Sequence, residues 1–494
     1  MNFKLSFILS IFFVCTAIAQ DGNPTDYLSA QFHKERREAL RAKMPKNSVA
    51  VFFGNPIRNR ANDVDYIYHQ DPDFYYLSGY KEPDCVLVIF SDNQTNKEGK
   101  TYNELLYVQE KNPRAEQWTG IRLGTEGAKN SLGFTNAFNG KEFLNSDINY
   151  LSFDSVLFKE FEDDIRNSKR DKADLYKLIS AFKTQIGYAA KTEKQTDSNL
   201  QNEIGLKKNI TAKKANIDTK SILTYMASLR EIKSKEEMVL LTKAVRISAM
   251  GQREIMKAMH PGMSETEIQG IHEFVYKKYG SEFEGYPSIV GAGNNGCVLH
   301  YIENSKMKVE NDLVLMDLGA EYHGYTADVT RTIPANGKFT TEQKLIYDLV
   351  YEAQEAGIAT VKKGNSFGSP DVAARNVISE GLVKLGIIKN KEESRKYFPH
   401  GTSHHIGLDV HDPGLYNTFE ENMVLTVEPG IYIPKGSDCD KKWWGIAVRI
   451  EDDILVTANG PINLSAEAPR KSDEIEALMN EKSVLDNFNL PNLD

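Results

Sequence analysis

Leu313-Val314-Leu315-Met316-Asp317-Leu318-Gly319-Ala320-Glu321-Tyr322-His323-Gly324-Tyr325-Thr326-Ala327-Asp328 carries two aspartates on either side of a turn centred near Tyr322 and His323. A regular hairpin sets Asp317 and Asp328 opposite each other, roughly 5 Å apart at Cβ, where like charges repel. Such a pair requires a cation, a shared proton or open solvent. The apolar residues around Asp317 point to burial, and buried carboxylates normally need a metal or a charge partner.

Downstream, four of the ten histidines fall in His400-Gly401-Thr402-Ser403-His404-His405-Ile406-Gly407-Leu408-Asp409-Val410-His411. A lone histidine is more often a hydrogen-bonded core residue than a ligand, and His405 fits that description. A histidine cluster beside buried carboxylates points to metal instead. Two glutamates end strand-like runs: Glu428 follows Met423-Val424-Leu425-Thr426-Val427, and Glu451 follows Gly445-Ile446-Ala447-Val448-Arg449-Ile450. Strand alternation puts Arg449 on the face of Glu451, so a plain ion pair is the alternative there. Four carboxylates and one imidazole suit a pair of hard divalent ions such as Mn(II) better than a closed structural zinc site. The chemistry they suggest is a bridging hydroxide attacking a polarised carbonyl.

Around this constellation the chain, at 494 residues, is long enough for two domains. With 40% hydrophobic and 26% charged residues it has the composition of a globular protein. A net charge of −9 offers no basic field for nucleic acid. Lys4, the apolar run Leu5 to Val14 and Ala17-Ile18-Ala19 read as a secretory signal over residues 1–19, too short for a comfortable membrane span. The protein is therefore expected to be exported, periplasmic or extracellular, with no stable span once the signal is removed. Cys15 leaves with the signal, and Cys85, Cys297 and Cys439 are too sparse for a disulfide framework.

An α/β N-terminal domain is expected over 27–220, with strands at Ser48 to Phe53 and Cys85 to Phe90 and a polar insertion at about 185–215. The second domain, 221–480, opens at Ser234-Lys235-Glu236-Glu237, a capping-box signal repeated at Ser264-Glu265-Thr266-Glu267. Helices are predicted from there and over about Thr341 to Ala359 and Asp371 to Leu385. Strands are predicted at Leu313 to Met316, Tyr325 to Ile333, Val424 to Val427 and Ile446 to Ile450. Helices on one face of a curved antiparallel sheet make this an α+β arrangement.

These segments resemble the aminopeptidase P branch of the pita-bread metallopeptidases. The likeness runs through Met316-Asp317-Leu318-Gly319, Ala327-Asp328-Val329-Thr330-Arg331-Thr332, the histidine-rich segment, Thr426-Val427-Glu428-Pro429-Gly430 and Arg449-Ile450-Glu451-Asp452-Asp453. It continues through Ile289 to His300 and, in the first domain, Asp73 to Tyr80 and Ala115-Glu116-Gln117-Trp118. The resemblance implies a pita-bread catalytic domain behind a smaller α/β domain, with two divalent metals, Mn(II) by preference. It makes Asp317 a ligand of one metal, Asp328 and Glu451 bridges, and His404 and Glu428 ligands of the other. Glu428 is also the implied acid/base group. His411 is similar to a histidine that stabilises the tetrahedral intermediate, His300 to one that contacts substrate, and His400 to one lining the proline side. Arg230 and Tyr432 match substrate-binding positions. Trp118 resembles a tryptophan that reaches a neighbouring subunit's site, which implies a homo-oligomer, a dimer or tetramer.

The activity implied is removal of the N-terminal residue ahead of a proline. An Xaa-Pro dipeptidase with the same metals is the near alternative, and a silent pita-bread binding protein the distant one. All five ligand positions are present, which favours the enzyme. The loop Pro413 to Asn422 has no arginine, so one contact of the family's bacterial members is absent or replaced.

Overall fold

The computed structural model describes residues 24–162, 165–168, 171–188 and 214–486. The expected signal and most of the polar insertion lie outside the described residues.

The first sheet has six strands. Ser48–Phe53 lies antiparallel to Val86–Thr95 and parallel to Ser155–Leu157, with Thr101–Val108, Ala137–Asn139 and Ile217–Asp218 outside them. Because side chains alternate along a strand, Val49 and Val51 enter one apolar cluster and Ala50 and Phe52 another, so the sheet is buried on both faces. The second cluster runs on into the following domain: Phe74 and Tyr76 share it with Leu241, Val245 and Tyr325. Tyr76 also donates its hydroxyl to the carbonyl of Leu229 at 2.9 Å. The two domains are thus joined through a common core.

In the second domain every strand pairing is antiparallel. Leu313–Asp317, wholly buried, runs between Ile289–Ala292 and Thr330–Pro334. Val424–Val427 pairs with Asp452–Thr457, and Gly430–Ile433 with Ile446–Arg449. Helix Lys235–Ala258 starts at the Ser234 and Glu237 capping box read from the sequence. Helices Glu265–Lys278, Thr341–Ile358 and Ser369–Lys384 complete the layer. Two buried glutamines tie helices to strands. Gln252 donates to the carbonyls of Met316 and Val329, the residues that flank Asp317 and Asp328. Gln354 donates to the carbonyl of Val427, immediately before Glu428, and to Asp452.

The hairpin register differs from the expected one. Tyr322 pairs with Tyr325, which puts the turn at His323-Gly324 and sets Asp317 opposite Thr330. Asp328 is therefore the diagonal neighbour of Asp317, not its direct partner. The cause is local: the two central residues have φ of 51° and 90°, the pair of positive values that a tight two-residue hairpin turn requires. His323 tolerates this backbone because its ring is held on both sides, by Glu282 and Asp26. The strand expected from Tyr325 to Ile333 is also interrupted, at Ala327 to Val329, and Asp328 sits in the break.

Candidate metal centre and peptide cleft

A cleft of about 560 Å³ opens above the strand ends and is lined by Asp317, Asp328, Glu428, Glu451, His404, His400, His411 and His300. Asp317 terminates its strand, Glu428 follows Val427, and Glu451 lies between Ile446–Arg449 and Asp452–Thr457. His404 is laid along Val424–Val427 by two bonds with Thr426: the Thr426 amide donates to its carbonyl and its own amide donates to the Thr426 hydroxyl. Strand register therefore dictates where each donor points.

Asp328, His404 and Glu451 each offer one atom, and those atoms lie within 4.8 Å of one another. His404 Nε2 is 3.5 Å from Asp328 and 3.6 Å from Glu428. Burial and then the neighbouring His404 and Asp328 act on Glu428, with the net result that its carboxyl is pushed up to about 7. Burial and then Asp328 and Glu428 raise Glu451 as well. Burial and then Asp317 raise Asp328. Burial opposes the charge on His404, but the Asp328 hydrogen bond and the Glu428 charge prevail and lift it to about 9. Asp317 is the exception: burial would raise it, yet Arg449 at 2.5 Å and the Tyr286 hydroxyl hold it low. Carboxylates crowded so that most of them resist ionisation are a donor set short of positive charge. Oxygen-rich and with one imidazole, the set fits divalent cations.

Arg449 serves this cluster differently from the simple pairing considered above. It bonds Asp317 and the Tyr432 hydroxyl, while Glu451 is 3.9 Å away. Glu451 instead accepts from Thr330 at 2.6 Å.

The histidines occupy the walls. His400 bonds Tyr432 at 2.8 Å and lies 3.7 Å from Glu428; burial and then Arg449 lower it to about 4, so it is neutral. His411 stacks edge-on to His404 at 4.3 Å, and burial and then the His404 and His300 charges lower it too. His405 faces away from the cleft, buried against Phe367 and Tyr416 as a core residue, but it is not the hydrogen-bonded one expected, for neither ring nitrogen has a partner among the described residues.

Three sequence-derived candidates do not line the cleft. Arg230 is 2% exposed and locked to Asp73, Asp409 and Asp412, so it acts behind the His411 segment and not on substrate directly. Its buried charge needs those partners, and Lys233 and Lys159 extend the chain through Asp412 and Asp73. Tyr432 is one layer back, reaching the cleft through His400 and Arg449. Trp118 is 85% exposed on helix Pro113–Thr119, which buries none of its residues.

Two residues at the site were not anticipated. The Tyr286 hydroxyl is 2.6 Å from both Asp317 and Asp328, and Asp453 accepts from the Asp328 amide at 3.1 Å. Tyr286 lies outside the recognisable Ile289 to His300 run, in a short irregular stretch that carries no periodic signal. Asp453 ends the Arg449 to Asp453 run, and only the fold buries it beside Asp328.

Acidic donors that face an open cleft, not an enclosure of ligands, define a metal-dependent hydrolase. The chain belongs to metallopeptidase family M24, which residues 239–458 match, and residues 33–152 match the aminopeptidase P N-terminal domain. It is 35% identical to the Xaa-Pro aminopeptidase of Escherichia coli (strain K12), over 92% of this chain and 98% of that one. Identity to Xaa-Pro aminopeptidase 3 of Homo sapiens is 30%, over 94% of this chain and 89% of the human protein. The solved structure of aminopeptidase P from E. coli with the inhibitor Pro-Leu superposes with a TM-score of 0.77 at 35% identity, covering 92% of this chain and 98% of that one. The pita-bread architecture expected from the sequence is thus the fold of the protein.

Proposed function

We propose that the protein is an Xaa-Pro aminopeptidase, releasing the N-terminal residue of peptides with proline in second position. The observation that carries this reading is likeness to named Xaa-Pro aminopeptidases along both domains, with all five donor residues converging on one cleft. The catalytic unit is taken as 221–480 and the preceding unit as 27–220.

Asp317, Asp328, His404, Glu428 and Glu451 would hold two divalent ions, and the oxygen-rich set favours Mn(II). Such ions polarise a scissile carbonyl and acidify water. Glu428, set between His404 and His400, takes a proton from water and delivers it to the departing proline nitrogen. Neutral His400, steadied by Tyr432, offers a wall for the proline ring. His411, next to His404, faces the side where charge develops on the carbonyl oxygen.

The test is a peptide panel with an elemental analysis. Xaa-Pro tripeptides and longer peptides should lose one residue, chelation should stop this, and Mn should restore it. Cleavage confined to an Xaa-Pro dipeptide would mark a dipeptidase. Glu428→Gln should lower kcat by about 10²–10⁴-fold with metal largely retained; near-normal turnover would refute its role.

Two further parts of the proposal have their own support. The exposed Trp118 and Ile121, at 85% and 84%, suit a homo-oligomer of two or four copies. Sedimentation of Trp118→Ala should show weaker assembly. Lys4, the apolar run and Ala17-Ile18-Ala19 support export, which N-terminal sequencing of the mature protein checks.

A further inference from the structure

His300 is exposed in the cleft and makes no hydrogen bond to another described residue. Its place is therefore set by the backbone that carries it. That backbone, from Ala292 to Lys306, holds one short helix, the 3-10 helix Gly293–Cys297, followed by a turn at Leu299-His300. It also supplies Leu299 and Ile302 to the cleft.

Glu265 holds the loop at both ends. It sits in the first turn of helix Glu265–Lys278 and is 0% exposed. Its neighbour Ser264 makes the N-cap bond, leaving the Glu265 side chain free to turn inward. Oε1 accepts from the Ala292 amide at 2.7 Å and the Asn295 amide group at 3.0 Å. Oε2 accepts from the Lys306 amide at 2.8 Å and the hydroxyl of Tyr301, the residue after His300, at 3.0 Å. The Glu265 amide completes the ring by donating to the Lys306 carbonyl. One side chain thus gathers four donors spanning fifteen residues of chain, Ala292 to Lys306. The same helical turn adds a bond from Thr266 to the Asn304 carbonyl.

We propose that Glu265 is a positioning residue for the cleavage reaction, acting through the Ala292 to Lys306 loop to present His300 and the adjoining apolar wall to the peptide. It touches neither metal ligand nor substrate. The proposal rests on the peptidase reading above.

Glu265→Gln is a nearly isosteric test. Each oxygen faces a backbone N–H, so the new amide nitrogen opposes a donor whichever way it is turned. One buried donor left unpaired in this way lowers kcat/KM on an Xaa-Pro tripeptide by about tenfold. The loss should fall mainly on KM, with metal content unchanged. In a His300→Ala background the same substitution should cost less than it does in wild type, because the His300 part of its route is already removed and only the Leu299 and Ile302 wall remains to be displaced. Full additivity overturns the proposal, as does loss of metal in Glu265→Gln. Should that variant fail to fold, Tyr301→Phe removes one of the four donors, and with it the acceptor of the Ser305 amide and of the Asn295 amide group, without setting donor against donor; it should lower kcat/KM in the same direction, again less than additively with His300→Ala. Hydrogen exchange over 293–306, measured without substrate, should quicken in either variant while 313–317 stays protected. Unchanged exchange overturns the proposal even if wild-type protein ignored Xaa-Pro peptides, an outcome that by itself counts against the substrate reading alone.

Discussion

The floor of the cleft and its walls are held in different ways. Asp317, Glu428 and Glu451 sit at strand ends and His404 lies along a strand, so backbone ladders locate the donors. His300 and His400 ride on irregular segments, each gripped by one charged side chain from a helix: Glu265 on the first, Arg375 on the second. A ladder brings acids together whatever their repulsion, whereas a clamp sets one loop and leaves the rest alone. Deleting a floor donor outright should therefore appear in metal binding, and damage to the walls in substrate handling.

The largest effect expected is from Glu451→Ala. It removes a donor within 4.8 Å of two others and leaves Thr330 without its acceptor. Metal stoichiometry and activity should both collapse, by elemental analysis and peptide assay. Retention of two metals with activity intact would break the distinction between floor and walls.

A smaller effect concerns the metal-free protein. Glu428, raised to about 7, binds more protons folded than unfolded, so its contribution to stability is present at low pH and lost as pH rises through 7. His404, raised to about 9, acts in the same direction, its contribution disappearing as pH climbs from 6.5 past 9. The neutral His400, lowered to about 4, opposes this only between 4 and 6.5. From pH 6.5 to 8.5, then, the Tm of chelated protein should fall. Added Mn should reverse the slope, because its ligands bind deprotonated. A chelated protein that grows more stable across that interval would mean the acids are not in conflict.

Floor and walls also differed in how far they could be read from the sequence. The acids announced themselves because carboxylates ending apolar runs are chemically out of place, and strand periodicity named their faces. Even so, the register at Asp317 came out two residues from the simplest symmetric hairpin, since the turn was set by the positive φ of His323 and Gly324 and not by the spacing of the acids. The histidines could be named but not placed. Glu265 looked like an ordinary helix-start residue, and nothing in its neighbours says that its side chain turns inward. Arg230 looked like a group for substrate, and only the fold brings Asp73, Asp409 and Asp412 around it. Contacts between residues far apart in the chain leave no periodic trace.

Arg375 provides the finest test of the comparison. Its guanidinium donates to the carbonyls of Phe398 and His400, each at 2.9 Å, pairs with Asp371 and lies 4.3 Å over the Phe398 ring. Asp371 in turn accepts from Thr402, so the segment leading to His404 is fastened at two points. Arg375→Met frees both carbonyls and should lower kcat/KM by about tenfold, with metal content unchanged. Arg375→Lys keeps the charge but cannot span both carbonyls with a planar fork, and should fall between wild type and Arg375→Met. If Arg375→Met instead sheds metal, the His400 wall and the His404 ligand move as one piece, and the boundary between clamp and ladder lies beyond Thr402, not before it.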